Sequence, residues 1–211
     1  MKLYVLPAGP IQTNAYLLCA PERAEAILVD APGGVWTEVA KSLEVERCRL
    51  VELWFTHGHW DHTQGGAEVV RRTGATVRAH ANDRALIETP EVMERFMGER
   101  LDLEAVRVDH WVVPGEKLAA LGTPVEVRHV PGHCPGSVLY YFASFAAAFV
   151  GDALFRRSVG RTDLPGGSAA QLTRSIREQI YTLPPETVVY PGHGPPSSVA
   201  EERAENPYVR D

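Results

Sequence analysis

Between positions 56 and 65 the chain reads THGHWDHTQG, and the six positions from 57 to 62 hold His57, His59, Asp61 and His62. Imidazole nitrogen and carboxylate oxygen, with no thiolate beside them, are the donors that suit a zinc, iron or manganese ion. His57 and His59 are two positions apart, so on extended chain they point the same way. Asp61 and His62 then turn toward a neighbouring position. Three more donors stand at similar places: Pro131-Gly132-His133 follows VEVRHV, Gly151-Asp152 follows AAAFV, and Pro191-Gly192-His193 follows TVVY. Each sits just past an apolar run, with a glycine before it that lets the backbone turn sharply. Five histidines and two aspartates exceed the needs of one tetrahedral ion and match two ions sharing a bridging carboxylate. His80, His110 and His129 lie in strand-like stretches without such partners and read as structural.

The elements that must position these donors are legible as periodicities. KLYVL, NAYLLCA and AILVD read as strands, the first two joined by the turn PAGPIQT. VWTEVAKSLEV carries helical spacing, and LVELWFT has the nearly all-apolar character of a strand covered on both faces. Thr63 is expected to cap a helix through AEVVRRTG, followed by a strand ATVRAH. Residues 81–105 read as a charged helical piece with the apolar face Leu86, Ile87, Val92, Met93, Phe96 and Met97. Strands are expected at VDHWVV, PVEVRHV, SVLYYFA, AAAFVGD and TVVYPGHG. A helix is expected over 168–182 with Ser168 as its cap, and a short helical tail at AEERAEN. Two strand-rich halves, each with helices, point to an α/β architecture of four layers with the sheets inside.

Composition excludes some classes of function. The chain has 211 residues, 45% of them hydrophobic, and a formal net charge of -6. An acidic surface without clustered positive charge argues against nucleic-acid binding. Cys19, Cys48 and Cys134 are odd in number and widely spaced, so neither a disulfide framework nor a thiolate metal site is expected. No stretch has the length and apolarity of a membrane span, and the N-terminal run is interrupted by Gln12, Thr13 and Asn14. A cytoplasmic protein is expected.

The motifs THGHWDH, PGHCPGS, GDALF and YPGHG resemble the HxHxDH…H…D…H signature of metallo-β-lactamase-fold hydrolases, from Met1 to about His193. GDALFRRSVGRTDLPGG and the tail ERAENPY are similar to the glyoxalase II-like (hydroxyacylglutathione hydrolase-like) branch. The resemblance implies one domain over 1–211, an αββα sandwich, and a binuclear centre. In it His57, His59 and His133 hold one metal, Asp61, His62 and His193 hold the other, and Asp152 bridges. A hydroxide between the ions is then the nucleophile, with Asp61 and Asp152 as the catalytic carboxylates. Two divalent ions per chain are expected, zinc first, with iron or manganese as alternatives. Such a pair lowers the pKa of water toward neutrality and polarises a carbonyl. A thiolate, with a thiol pKa of about 8.5, leaves without much help from an acid. A small-molecule thioester is therefore the expected substrate, with no nucleic acid or membrane partner and a monomer or homodimer as the assembly.

Glyoxalase II proper continues into a helical domain that supplies much of its glutathione site. Here only residues 194–211 follow His193, so the expectation is a compact variant whose thiol carrier is open. Arg156, Arg157 and Arg161 are candidates for a positive rim that meets an anionic substrate tail; the alternative is a solvated loop. Cys134 follows the ligand His133 as a neighbour of the site, and Trp60 either walls the pocket or packs. A competing reading is a persulfide dioxygenase with one iron on His57, His133 and Asp152. A lactonase is a further alternative on the same fold. β-Lactam hydrolysis is chemically possible but is set aside because such enzymes are typically exported. A binding module that had lost its chemistry should have lost ligands, whereas all seven matches are present.

Overall fold

Two strand-rich segments, Met1–Trp111 and the chain from Val112 on, each close on their own apolar core. They are described from a computed structural model covering residues 1–98 and 100–210.

The first unit is built on strands β1 (Lys2–Ala8), β2 (Thr13–Ala20), β3 (Glu25–Val29), β4 (Arg49–Trp54) and β5 (Thr76–His80), with β6 (His110–Val112) last in a sheet of that order. β1 to β3 form antiparallel pairs, while β3, β4 and β5 run parallel. Parallel neighbours need crossovers. These are supplied by helix α1 (Trp36–Glu46) and by the pair α2 (Trp60–Thr63) and α3 (Gly66–Thr73). All eight residues of β2 are buried, as expected for a strand rich in Leu and Ala with both faces covered. At the edge, β1 alternates: Tyr4, Leu6 and Ala8 pack on the core, while Leu3 and Val5 stay exposed. Val39 and Leu43 of α1 and Val69 of α3 join Leu17, Leu28, Leu53, Phe55 and Val77 in that core. Trp54 and Phe55 are fully buried. Each large apolar side chain so placed stabilises by about 1.5–3 kcal/mol, which anchors the strand end leading into THGHWDH.

The second unit has the sheet order β14–β13–β10–β9–β8–β7. Its strands are β7 (Lys117–Ala120), β8 (Thr123–His129), β9 (Val138–Phe142), β10 (Ala147–Gly151), β13 (Val188–Pro191) and β14 (Ser197–Ser198). Between β10 and β13 lie a small hairpin, β11 (Leu154–Phe155) and β12 (Ser158–Val159), and helix α6 (Ala169–Ser175). β10 and β13 are parallel, so the ends of both strands emerge side by side. Ser168 caps α6 by accepting the Gln171 N–H at 3.4 Å, as its sequence predicts. The helix then widens into a π-turn over Ile176–Ile180, which buries Ile176 and Ile180 with Leu172. Helix α7 (Val199–Glu205) starts on a capping box between Ser198 and Glu201.

Several expected elements change. Thr63 does not cap α3; it closes α2 by donating to the His59 carbonyl at 3.1 Å, and α3 starts after Gly65. The helix over 81–105 splits into α4 (Arg84–Glu88) and α5 (Glu91–Met97), because Thr89 precedes Pro90 and is driven out of helical geometry. Of its expected apolar face, Ile87 and Met93 are buried but Phe96 is exposed. Among the described residues no helix is long and apolar enough to cross a membrane.

Candidate metal centre

The first donor group sits where β4 runs out. His57 and His59 follow on extended chain, and one helical turn, α2, then brings Asp61 and His62 back. All four are buried. The His57 ring centroid lies 4.7 Å from that of His59 and 4.1 Å from that of His62. The Nε2 of His62 stands 3.3 Å from Asp61 Oδ2, and Asp61 Oδ2 also accepts the Thr13 hydroxyl at 2.7 Å.

Two carboxylates missed by sequence reasoning hold this turn. Asp30, at the end of β3, accepts the Thr56 N–H, the Thr56 hydroxyl and His62 Nδ1–H, each at 2.8 Å. The Thr56 hydroxyl has given its one proton to Asp30, so at 3.1 Å from His57 Nδ1 it acts as acceptor. Asp30 thereby fixes two imidazoles, one directly and one through Thr56, with Nε2 as the nitrogen each could offer a metal ion. Asp83 accepts the Gly58 N–H at 2.8 Å. At Gly58 a Cβ would come within 2.9 Å of both Asp83 Cβ and Leu86 Cβ, so the turn needs glycine between its histidines. The signal for Asp30 was in the sequence: like Asp152, it is an aspartate just past an apolar strand.

The second donor group belongs to three strand ends. Asp152 follows β10, His193 follows β13, and His133 follows β8 by a short turn. One oxygen, Asp152 Oδ2, lies 3.6 Å from His133 Nε2 and 3.5 Å from His193 Nε2. The opposite nitrogen of His133, Nδ1, donates to the Arg161 carbonyl at 2.8 Å. Gly192 N–H bonds to the Gly151 carbonyl at 2.9 Å and ties the β10 and β13 ends together.

These spacings test whether a metal fits. Nitrogen and oxygen ligands about 2.0–2.1 Å from one tetrahedral ion lie roughly 3.3–3.4 Å apart. The separations of 3.3, 3.5 and 3.6 Å are long for hydrogen bonds and close to that value. Nδ1 of His57, His62 and His133 is each engaged by a protein acceptor, the outer support that orients a metal-bound imidazole. Each of the seven donors falls in a set of side chains that could hold a metal ion.

The other singled-out residues fall outside these sets. His129 Nε2 donates to the Pro135 carbonyl at 2.8 Å, and His80 Nδ1 accepts the Asn82 N–H at 3.3 Å. Arg161 forms a two-pronged pair with Asp163 at 2.7 and 2.8 Å, and its guanidinium holds the Asp163 carboxyl down at about 2. Arg157 pairs with Glu205. Arg156 is exposed, Cys134 is buried, and Trp60 is half-buried as the first residue of α2.

A family model for the metallo-beta-lactamase superfamily matches residues 8–193. The chain belongs to that superfamily. Within the superfamily it is 32% identical to a probable metallo-hydrolase, YqgX, of Bacillus subtilis, over 99% of this chain and 98% of the relative. It is 31% identical to the hydroxyacylglutathione hydrolase GloC of Haemophilus influenzae, over 99% and 98%. Two solved metallo-β-lactamase-fold structures show the fold expected from the sequence. The BLEG-1 B3 metallo-beta-lactamase superposes with a TM-score of 0.90 at 35% identity, over 99% of both chains. TTHA1623 in a di-iron-bound form does so with 0.85 at 34%, over 98% and 100%. By family and donor set the chain is a metal-dependent hydrolase.

Proposed function

We propose that the chain is a binuclear thioester hydrolase of the hydroxyacylglutathione type, with two divalent ions held by the seven donors. His57, His59 and His133 take one ion, Asp61, His62 and His193 the other, and Asp152 serves both. The observation that carries this reading is the position of Asp152 Oδ2, at ligand spacing from two histidines at once. The likeness to GloC supports the substrate class, and the di-iron form of TTHA1623 supports a pair of ions. When bound, such a pair makes hydroxide available near neutral pH and stabilises the oxyanion that develops on a carbonyl.

The chain's own residues do the rest. Asp30 and the Arg161 carbonyl keep the imidazoles in the ligating tautomer and orientation. In this reading Asp61, which accepts the Thr13 hydroxyl, is a ligand first and also orients the attacking water. A thiolate leaving group needs no separate acid, which suits a site whose buried carboxylates are spent on ligation and support. Arg156 is the candidate among the arginines for meeting an anionic tail, because Arg157 and Arg161 already pair with carboxylates.

The likeness to BLEG-1 favours a second reading, β-lactam hydrolysis, which the sequence alone set aside. The deciding experiment measures zinc, iron and manganese per chain in the purified protein. The same sample is assayed with S-lactoylglutathione and with a chromogenic cephalosporin. About two ions with thioester turnover is the expected result. Cephalosporin turnover alone moves the substrate to β-lactams. A single iron without hydrolysis, followed by oxygen uptake with glutathione persulfide, overturns the hydrolase reading in favour of a dioxygenase.

A further inference from the structure

The ERAENPY stretch, residues 202–208, has no role in the chemistry above, yet it holds a buried carboxylate. Glu202, in α7, is fully buried. Its Oε2 accepts the Arg157 N–H at 2.9 Å and the Asn206 side-chain amide at 2.8 Å. The same Asn206 nitrogen donates to the Ser158 carbonyl at 3.1 Å, and Asn206 Oδ1 accepts the Tyr208 N–H at 3.0 Å. Arg157 is in the two-residue turn of the β11–β12 hairpin, with φ of 58°, and Ser158 opens the returning strand. The tail therefore grips the hairpin at its apex and at the start of β12.

Both ends of that hairpin bear on the second donor group. β11 begins two residues after Asp152, and β12 leads through Gly160 to Arg161, whose carbonyl takes the His133 Nδ1–H. Gly160 lies so close that a Cβ there would sit 1.8 Å from the Asp152 carbonyl oxygen and 3.0 Å from His133 Nδ1. A small displacement of β12 is therefore felt by both donors.

We infer that Glu202 and Asn206 are positioning residues for the metal centre, fixing the hairpin that orients His133 and seats Asp152. This rests on reading those two as ligands. The other oxygen of Glu202, Oε1, has no hydrogen-bond partner among the described residues. Burying such an atom unsatisfied is costly, and an apolar side chain would pack more cheaply.

The test compares wild type, Glu202→Ala, Glu202→Gln and the surface control Glu186→Ala. The apoproteins are titrated with zinc against a chromophoric chelator, with thermal unfolding followed on the same samples. Glu202→Ala is expected to bind zinc about ten-fold or more weakly, as loss of an outer-shell partner does elsewhere. Glu202→Gln, which keeps an acceptor for Arg157, is expected to recover most of that affinity, and Glu186→Ala to match wild type. A folded Glu202→Ala that binds zinc as tightly as wild type overturns the inference, as does Glu202→Gln as weak as Glu202→Ala. Should Glu202→Ala fail to fold, Asn206→Ala decides: it leaves the Arg157 bond in place, and unchanged zinc affinity overturns the inference. Wild type that binds no zinc, iron or manganese is a different failure, that of the metal centre itself.

Discussion

The two donor groups solve one problem by opposite routes. In the first, four donors come from one stretch of six positions, and buried carboxylates at Asp30 and Asp83 brace them. In the second, three donors come from three separate strand ends, and the brace is a backbone carbonyl two residues past a hairpin gripped from α7. A contiguous group inherits its spacing from local geometry and needs help only with tautomer and tilt. A dispersed group depends on sheet register, and so on contacts made far along the chain.

The sharpest break in this comparison comes from Asp152→Ala. It removes the oxygen that serves two histidines, so thioester turnover should vanish and about half the bound metal with it. Undiminished turnover in a folded, fully loaded Asp152→Ala protein would sink the binuclear mechanism. Next comes Asp30→Ala, which leaves three buried donors without their acceptor. Each unmet buried group costs about 1–3 kcal/mol, so denaturant unfolding should shift strongly. Zinc affinity should also fall, by about 10–100-fold. A variant that lost stability but kept its affinity would show that Asp30 braces the fold and not the ligands.

Glycine replacements weigh the two braces against each other. Gly160→Ala puts a methyl 1.8 Å from backbone, whereas Gly58→Ala meets two Cβ atoms at 2.9 Å. Overpacking of this kind costs about 1–3 kcal/mol, and Gly160→Ala should be the more damaging to metal content. Equal losses would mean that the dispersed group is no more sensitive than the contiguous one. The smallest effect is a pH dependence. The Arg161 guanidinium holds Asp163 down at about 2, below the ordinary aspartate range. A lowered carboxyl contributes stability above its unfolded pKa and loses it as pH falls through the folded one. The stability gap between wild type and Asp163→Asn should thus be small at neutral pH, exposed as the pair is, and close between about pH 4 and pH 2.

Much of this was legible in the sequence because donors after apolar runs are a local pattern. All seven donors stand where that pattern puts them, and Ser168 caps its helix as expected. What stayed hidden depends on which strands become neighbours. Asp30 shows the same pattern as Asp152, but its link to Thr56 and His62 follows from β3 pairing with β4, Val29 opposite Trp54, which periodicity does not reveal. The β7–β8 hairpin was missed because its two-residue turn is Leu121-Gly122, with φ of 51° and 76°, and leucine is a poor advertisement for a left-handed position. Thr63 looked like a cap because a threonine preceded a helical repeat; the chain first spends a turn on Asp61 and His62.

The grip of α7 on the hairpin also sets an order of events during synthesis. The residues that brace the first donor group, Thr13, Asp30, Thr56 and Asp83, have all left the ribosome once residue 111 is out, and their unit holds a core of its own. The second group has its last donor at His193 and the hold on its hairpin only when Asn206 has emerged. A nascent chain thus carries a braced first donor group while the second still waits for its tail.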